Sequence, residues 1–491
     1  MFEDGAFSFC ISASDVVEGY KKQCSFGKYN FYTDDSTPCA FFSSTVRECI
    51  IFGYAVDVFN GESDNLANKI LESTSEINDV IEYERKLGGK YVILYRDSEG
   101  YYIIGDATCS IPVYYLCEAS HDIVCSDNPK VISRMLQLTP NPALEKIRKS
   151  GDVSQAMPYD ITEYSEIKQL LPNHYLNCDE RKAVRFVNSK EKQSAVSVND
   201  ATDIVLPMIE RIVGLYNERF DLHCPITSGR DSRVVLAFLS SINSQIAAYT
   251  MNHGKTKADL QELSIPMRLT QEISVCYDQI NDSEVTCEDI KEADEILGCE
   301  RYSKRTLMIA KTVKNHCNGR AIVNGDIIGQ VGKCSLHRDI RNIFATPRYF
   351  RCKLHNYSSE ALTELKKWIE EINESGEKTN LFDLFSVENR LGRWAGQENL
   401  IYNSVGQIYL NIFNSRSIIY IWSAVPRKLR KKSLLHIDLI SEKQPSLLNV
   451  PFEKDESLFV KISKSTATLY LLSSYAKHYM ERMKFYRRNK K

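Results

Sequence analysis

Residues His223 to Phe238 read HCPITSGRDSRVVLAF, and they join a strand end, a tight polar turn and a helix start in one short stretch. Cys224 to Thr227 is a brief apolar run with a proline in it, the signature of a buried strand end. From Val234 to Leu239 the residues are uniformly apolar, which predicts a buried helix beginning near Ser232. Between the two, Gly229 allows backbone conformations closed to other residues, while Ser228, Asp231 and Ser232 carry short oxygen-bearing side chains. Two readings fit this turn. The first N–H groups of a helix have no partner inside it and the dipole favours an anion there, so the turn can cradle a phosphate, with Ser232 adding a hydroxyl and Asp231 a carboxylate for magnesium. Alternatively, Asp231 or Ser232 simply caps an ordinary helix.

Outward from the turn the pattern is strand, helix, strand. Ala201 to Asn217 has apolar residues at Ile204, Val205, Met208, Ile209, Ile212, Val213 and Tyr216, close to helical spacing. Ile246 to Met251 predicts a second strand, followed by a hydrophilic loop with His253, Gly254 and Lys255. Such a crossover implies a parallel sheet, whose ligands sit beyond the carboxyl ends of the strands. Asp259 to Leu269 has helical character but contains Pro266, which predicts a break or kink. Ser274 to Tyr277 fits a third strand, and Ala321 to Asp326 a buried one ending in Gly325 and Asp326. Asp326 is either a strand-end turn residue or an acid turned to the ligand. GQVGKCS, Gly329 to Ser335, fails as a nucleotide P-loop, because Ile327 stands at the leading glycine and Cys334 follows the lysine. His316, Cys317, Cys334 and His337 lack the spacing of a structural zinc site.

The remainder bounds the answer. A chain of 491 residues with 43% hydrophobic and 26% charged residues is an ordinary globular composition, long enough for two or three domains. A net charge of −2 gives no electrostatic reason to expect nucleic acid, so a small-molecule substrate is the default. The 15 cysteines are scattered from Cys10 to Cys352 without a CxxC pair, which predicts free thiols in a reducing compartment. Cys10, between Phe9 and Ile11, is expected to be a buried small hydrophobe. No apolar run is long enough for a transmembrane segment, and Met1 to Ser12 has acids at Glu3 and Asp4 in place of a basic start, so a cytoplasmic protein is expected. A homodimer is compatible with the sequence but not indicated by it.

Before about residue 190 the chain reads as a β-rich meander, with strands at Tyr91 to Tyr95, Tyr101 to Gly105, Val113 to Cys117 and Ile123 to Cys125. Asn188 to Asp200 is polar and aperiodic, a linker. The last third is helical in pattern, notably Ser358 to Glu374 and Asp383 to Asn399, and then Ile408 to Arg416 leads to the basic VPRKLRKK, Val425 to Lys432. The tail from Lys477 to Lys491 is basic and aromatic; it suits either an anionic surface or a solvated, fraying helix.

TSGRDS, Thr227 to Ser232, resembles the SGGxDS pyrophosphate loop of the asparagine synthetase family, with Thr227 in place of serine and Ser228 in place of the first glycine. LGGKYVILYRD (Leu87 to Asp97), GDATCSIPVYY (Gly105 to Tyr115), VCSDNPKVI (Val124 to Ile132) and LLPNHYLN (Leu170 to Asn177) resemble, in order, that family's glutaminase domain. The resemblance implies an α/β protein. Residues 1–190 would form an antiparallel αββα sandwich of the Ntn-hydrolase kind, and residues 191–491 a parallel-sheet ATP-pyrophosphatase domain with a helical extension. The family's glutaminase uses a cysteine as second residue; here it is Phe2, so that chemistry is expected to be absent.

By the same resemblance ATP and Mg2+ are the cofactors. Thr227, Ser228, Gly229, Asp231, Ser232 and Gly325 would hold the pyrophosphate, Tyr249 and Met251 would line the adenine pocket, and Asp231 and Asp326 would hold the metal. Ile327 to Gln330 stand where GDGGDE places further acids, so Asp326 lacks the usual second carboxylate. Lys432 is the expected catalytic lysine, with Lys428 or Lys431 as alternatives. The implied activity adenylates a substrate carboxylate for attack by an amine or ammonia, similar to β-lactam synthetases and the macrolactam-forming enzymes of lasso peptides. A non-catalytic relative that keeps the fold and nucleotide binding is the alternative.

Overall fold

The computed structural model describes residues 7–144, 157–188, 194–252, 257–297, 304–333 and 345–452, apart from positions 35, 36, 45, 120, 244, 318, 355 and 357, and also residues 476, 479, 480 and 483. Phe2, the loop His253 to Lys255, Cys334, His337 and nearly all of the basic tail lie outside the described residues.

Twelve strands precede the helix that leads to the loop: β1 (Phe9–Ser12), β2 (Lys21–Phe26), β3 (Tyr29–Thr33), β4 (Cys39–Ser43), β5 (Glu48–Asp57), β6 (Leu87–Arg96), β7 (Tyr101–Gly105), β8 (Tyr114–Leu116), β9 (Cys125–Ser126), β10 (Ile167–Gln169), β11 (His174–Asn177) and β12 (Lys182–Arg185). They make two six-stranded antiparallel sheets, ordered β10-β8-β9-β1-β3-β2 and β12-β11-β7-β6-β5-β4. The expected meander is thus divided: β6 and β7 pair in one sheet, while β8 and β9 pair in the other. Alternating residues of both sheets meet in one core, where Phe9, Phe31 and Phe52 pack ring on ring at 5.7 to 6.2 Å between centroids. Each such contact is worth about 0.5–1.5 kcal/mol beyond its buried area. Cys10 lies fully buried in β1, as expected of a small hydrophobe.

Gly89 has a φ of +127°, and a Cβ there would stand 2.2 Å from the carbonyl oxygen of Tyr54. Only glycine lets β5 and β6 approach this closely, which gives the LGGKY stretch its physical reason.

The third sheet is parallel and five-stranded, ordered β15-β14-β13-β16-β17, from β13 (Leu222–Pro225), β14 (Ala247–Asn252), β15 (Cys276–Asn281), β16 (Ala321–Asn324) and β17 (Tyr409–Asn411). Its helices begin with Val198–Arg219, whose buried face is Ala201, Val205, Met208, Ile209, Ile212, Val213 and Tyr216. Ile204, assigned to that face by spacing, is 45% exposed. The helix Lys257–Glu272 runs through Pro266 without ending, and the Thr270 hydroxyl bonds back to the Pro266 carbonyl at 3.1 Å. The expected break is therefore absent. Ser359–Ser375 is closed at its start by the Ser358 hydroxyl, which accepts from the Ala361 N–H, and at its end by Gly376 with φ of +79°.

The sandwich and the parallel sheet share one apolar core, and a largely buried polar seam runs beside it. Gly88 bridges Ser415, and the Gly89 N–H donates to the Asn414 carbonyl at 2.9 Å. Arg416 donates to Glu84 at 2.6 Å and to Asn173 at 2.8 Å, and Arg185 pairs with Glu388 at 2.7 Å. Arg393 donates to Gln169 and to the carbonyls of Met157 and Ile161. Removing one member of a buried pair strands the other charge. Arg416→Ala is expected to lose about 3–5 kcal/mol in urea denaturation. The double replacement Glu84→Leu with Arg416→Met should cost less than the single; equal costs would show that the pair is not a desolvated one.

Candidate functional site

The turn Thr227 to Arg230 leaves the carboxyl end of the central strand β13 and enters the helix Asp231–Ile242. The Thr227 N–H donates to the Ser232 hydroxyl at 3.1 Å, the two hydroxyls lie 3.0 Å apart, and the Gly229 N–H donates to the Thr227 hydroxyl at 3.2 Å. The loop is thereby closed on itself. No side chain caps the helix, and Asp231 is its first residue, so the capping alternative does not describe this turn. The first-turn N–H groups keep their anion-binding character.

A cavity of about 570 Å³ opens at this end of the sheet. It is lined by Thr227, Ser228, Gly229, Asp231 and Ser232 of the loop, by Tyr249 and Met251 of β14, and by Gly325 and Asp326 just past β16. Every residue expected to hold pyrophosphate, adenine or metal lines this one space. Gly325 has a packing reason: a Cβ there would stand 2.9 Å from the Asp231 carbonyl oxygen.

Lys432 follows the short helix Arg427–Lys431, is exposed and is not among the residues lining the cavity; Lys428 is exposed as well. The basic segment is anchored by Arg430, which is buried on Asp383 at 2.9 Å and on the Val331 carbonyl at 2.8 Å. The chain then turns so that His436, also buried, reaches the site: its Nε2 lies 2.8 Å from Asp231 Oδ1. The charge of Lys333 also acts on Asp231. Arg233, of the loop motif, faces away and donates to the carbonyls of Leu447, Val450 and Pro451 at 2.6 to 3.2 Å, under the ring of Phe452. Its role here is to hold the C-terminal segment.

The electrostatics single out three acids. Burial pushes the Asp231 carboxyl up, but His436, then Lys333 and Arg230, outweigh that and hold it below its ordinary value. Burial drives Asp326 up to about 6; the Tyr409 hydroxyl, donating at 2.6 Å, offsets part of this and the charge of Asp231 adds to it. Glu398 is pushed up to about 8 by burial and by Asp326, against hydrogen bonds from Tyr409 and Trp394. Glu398 comes from a distant helix, Gly392–Ser404, and shares Tyr409 with Asp326. Trp394, Glu398 and Tyr402 recur every fourth residue on that helix, which is the sequence signal that marks them.

Asn324 orders the strand ends: its side-chain oxygen accepts from the Asp326 N–H at 2.9 Å and from Asn411 at 2.7 Å. A much smaller cavity of about 30 Å³ shares Asn324, Asp326 and Tyr409 with the first, and Lys90, Thr108 and Ser110 of the sandwich help to wall it. Lys90 is buried there, donating to Asn399 and, at 3.0 Å, to the Tyr409 carbonyl; burial lowers it to about 7.

Among the described residues no group of three or more His, Cys, Asp or Glu side chains forms a metal cage. Two carboxylates, Asp231 and Asp326, facing one cavity fit what Mg2+ takes when substrate phosphates complete its shell. No helix among the described residues is long and apolar enough to cross a membrane.

No family model matches the chain, and no curated protein does. Among solved structures, NMN synthetase from Francisella tularensis is similar at a TM-score of 0.20 and 12% identity, over 38% of this chain and 75% of that one. The U34-tRNA thiolase NcsA from Methanococcus maripaludis, with its 4Fe-4S cluster, is similar at a TM-score of 0.23 and 11% identity, over 42% and 85%. An NH3-dependent NAD synthetase from Campylobacter jejuni subsp. jejuni, in complex with the nitrate ion, is similar at 0.19 and 13%, over 37% and 88%. Likeness this slight carries no functional argument, so the reading rests on the cavity.

The raised Asp326 carries a stability signature. An acid whose folded value lies above its unfolded one favours the folded state fully below pH ~4, and that contribution is lost as pH rises through about 6. Asp326→Asn should therefore be more stable than the unliganded wild type by about 1–3 kcal/mol at pH 8, with the difference fading near pH 4. Urea titrations at the two pH values test this; a variant equally displaced at both would refute it.

Proposed function

We propose that the protein is an ATP-dependent, AMP-forming amide ligase working in a site made from residues 191–491, with residues 1–190 as a degenerate amidotransferase-like domain. The observation that carries this reading is the convergence of the TSGRDS loop, the β14 end and the Gly325–Asp326 strand end on one cavity. An uncapped helix N-terminus with Thr227 and Ser232 hydroxyls beside it suits a pyrophosphate, and Asp231 and Asp326 suit the magnesium that shares its charge.

A substrate carboxylate oxygen attacks the α-phosphorus, and the bond to pyrophosphate breaks. The loop N–H groups and the Ser232 hydroxyl receive the charge that develops on the leaving oxygen. Magnesium, when bound by Asp231 and Asp326, supplies neutralisation of that charge. The acyl adenylate is then attacked by an amine or ammonia, an amide bond forms, and AMP leaves. The attacking nitrogen loses a proton, which passes to solvent at the open mouth of the cavity; Asp326 is engaged with the metal at that stage. The smaller cavity, about 30 Å³, reaches the same Asp326 from the other side and has room for a nitrogen source no larger than ammonia.

The test is ATP–pyrophosphate exchange with magnesium and a panel of carboxylic acids, followed by amide formation with added amines. Asp231→Asn and Ser232→Ala are expected to lower exchange by about 100-fold or more. Absence of ATP binding by the wild type in calorimetry would remove the proposal.

A further inference from the structure

The cavity at the loop reaches well past the loop itself. Its volume is about 570 Å³, within the roughly 300–1,000 Å³ common for small-molecule sites. Its lining spans the ends of four neighbouring strands in the order β14-β13-β16-β17. At about 4.8 Å per strand step that is a breadth of roughly 14 Å. On the ligase reading, on which this inference rests, the nucleotide takes the β14 and β13 side. The β16 and β17 side is left for the acid to be activated.

That side has a definite chemistry. Tyr402 and Tyr409 are stacked, with ring centroids 4.5 Å apart and planes 11° from parallel, and both line the cavity with Ile309 and Ile322. The Tyr409 hydroxyl is already committed to Asp326 at 2.6 Å, so its ring is what remains for a ligand. The charged groups in the described lining are Asp231 and Asp326, and no Arg, Lys or His is among them. Lys333, Arg230 and His436, the cations acting on Asp231, stand at the phosphate end.

We infer that the acyl substrate is a monocarboxylic acid with an apolar, ring-sized body, seated against Tyr402, Tyr409, Ile309 and Ile322 with its carboxylate turned to the loop. A dicarboxylic acid of the aspartate or succinate kind would set its second carboxylate beside Asp326 with no described cation to meet it. An apolar body instead covers Tyr409 and Ile309, which are half-buried, and removes them from water.

The probes are 3-phenylpropionate and succinate, titrated by ligand-observed NMR into the full chain, alone and with magnesium and a methylene analogue of ATP. The expected result is phenylpropionate binding at least 10-fold tighter than succinate, with the preference lost in Ile309→Trp, which fills the space, and reduced in Tyr402→Leu. Melting curves close to the wild type's establish that each variant is folded. Succinate binding as tightly as phenylpropionate, or phenylpropionate binding untouched by Ile309→Trp, overturns the inference. ATP bound without any such preference also overturns it and leaves the ligase reading standing. The preference without ATP binding upholds the pocket and removes the ligase reading.

Discussion

The end of β16 lies so close to the start of the loop helix that a single methyl group on Gly325 would stand 2.9 Å from the Asp231 carbonyl oxygen. This close approach brings two acids from separate crossovers, Asp231 and Asp326, to one cavity. It also fixes what surrounds them. Gly329, one helical turn on, leaves room for the Asp231 side chain, because a Cβ there would stand 2.8 Å from Asp231 Oδ2. Asp326 is then left facing Tyr409 on the neighbouring strand. The sheet order, with β16 between β13 and β17, is what makes the loop, the acid and the tyrosine neighbours.

Local features of the chain were legible where one short stretch determines its own conformation. The strand, turn and helix of HCPITSGRDSRVVLAF, the Gly325–Asp326 strand end and the Ser358-capped helix all follow from residue types at short spacing. Boundaries moved by a residue or two because hydrogen bonding, not hydrophobicity, ends a strand; β13 stops at Pro225, before the apolar run does. Pro266 misled because a proline costs a helix one hydrogen bond, and a helix packed on a sheet can bear that loss.

The site's remaining members were not legible in the same way. Glu398, Tyr402, His436 and Asn411 come from segments far along the chain, and nothing near the loop motif foretells which of them reaches it. His436 meets Asp231 because Arg430 buries itself on Asp383 and sets the course of the following helix. The same turn leaves Lys432 exposed, the lysine that the resemblance singles out with Lys428 and Lys431 as alternatives. The meander failed for a related reason: strands consecutive in sequence were distributed over two sheets, a long-range choice made by packing of the aromatic core.

Lys90 has a consequence for how the molecule comes apart. It belongs to the antiparallel sandwich, yet its ammonium is held by Asn399 and the Tyr409 carbonyl of the other layer system, over the ring of Phe7 at 4.0 Å. Arg185, Arg393 and Arg416 or their partners cross the same boundary. Neither half can leave without exposing partnered charges that the other half desolvates. The two sheet systems are therefore distinct in architecture but joined by shared buried charges, which predicts unfolding as one cooperative unit rather than as two modules on a string.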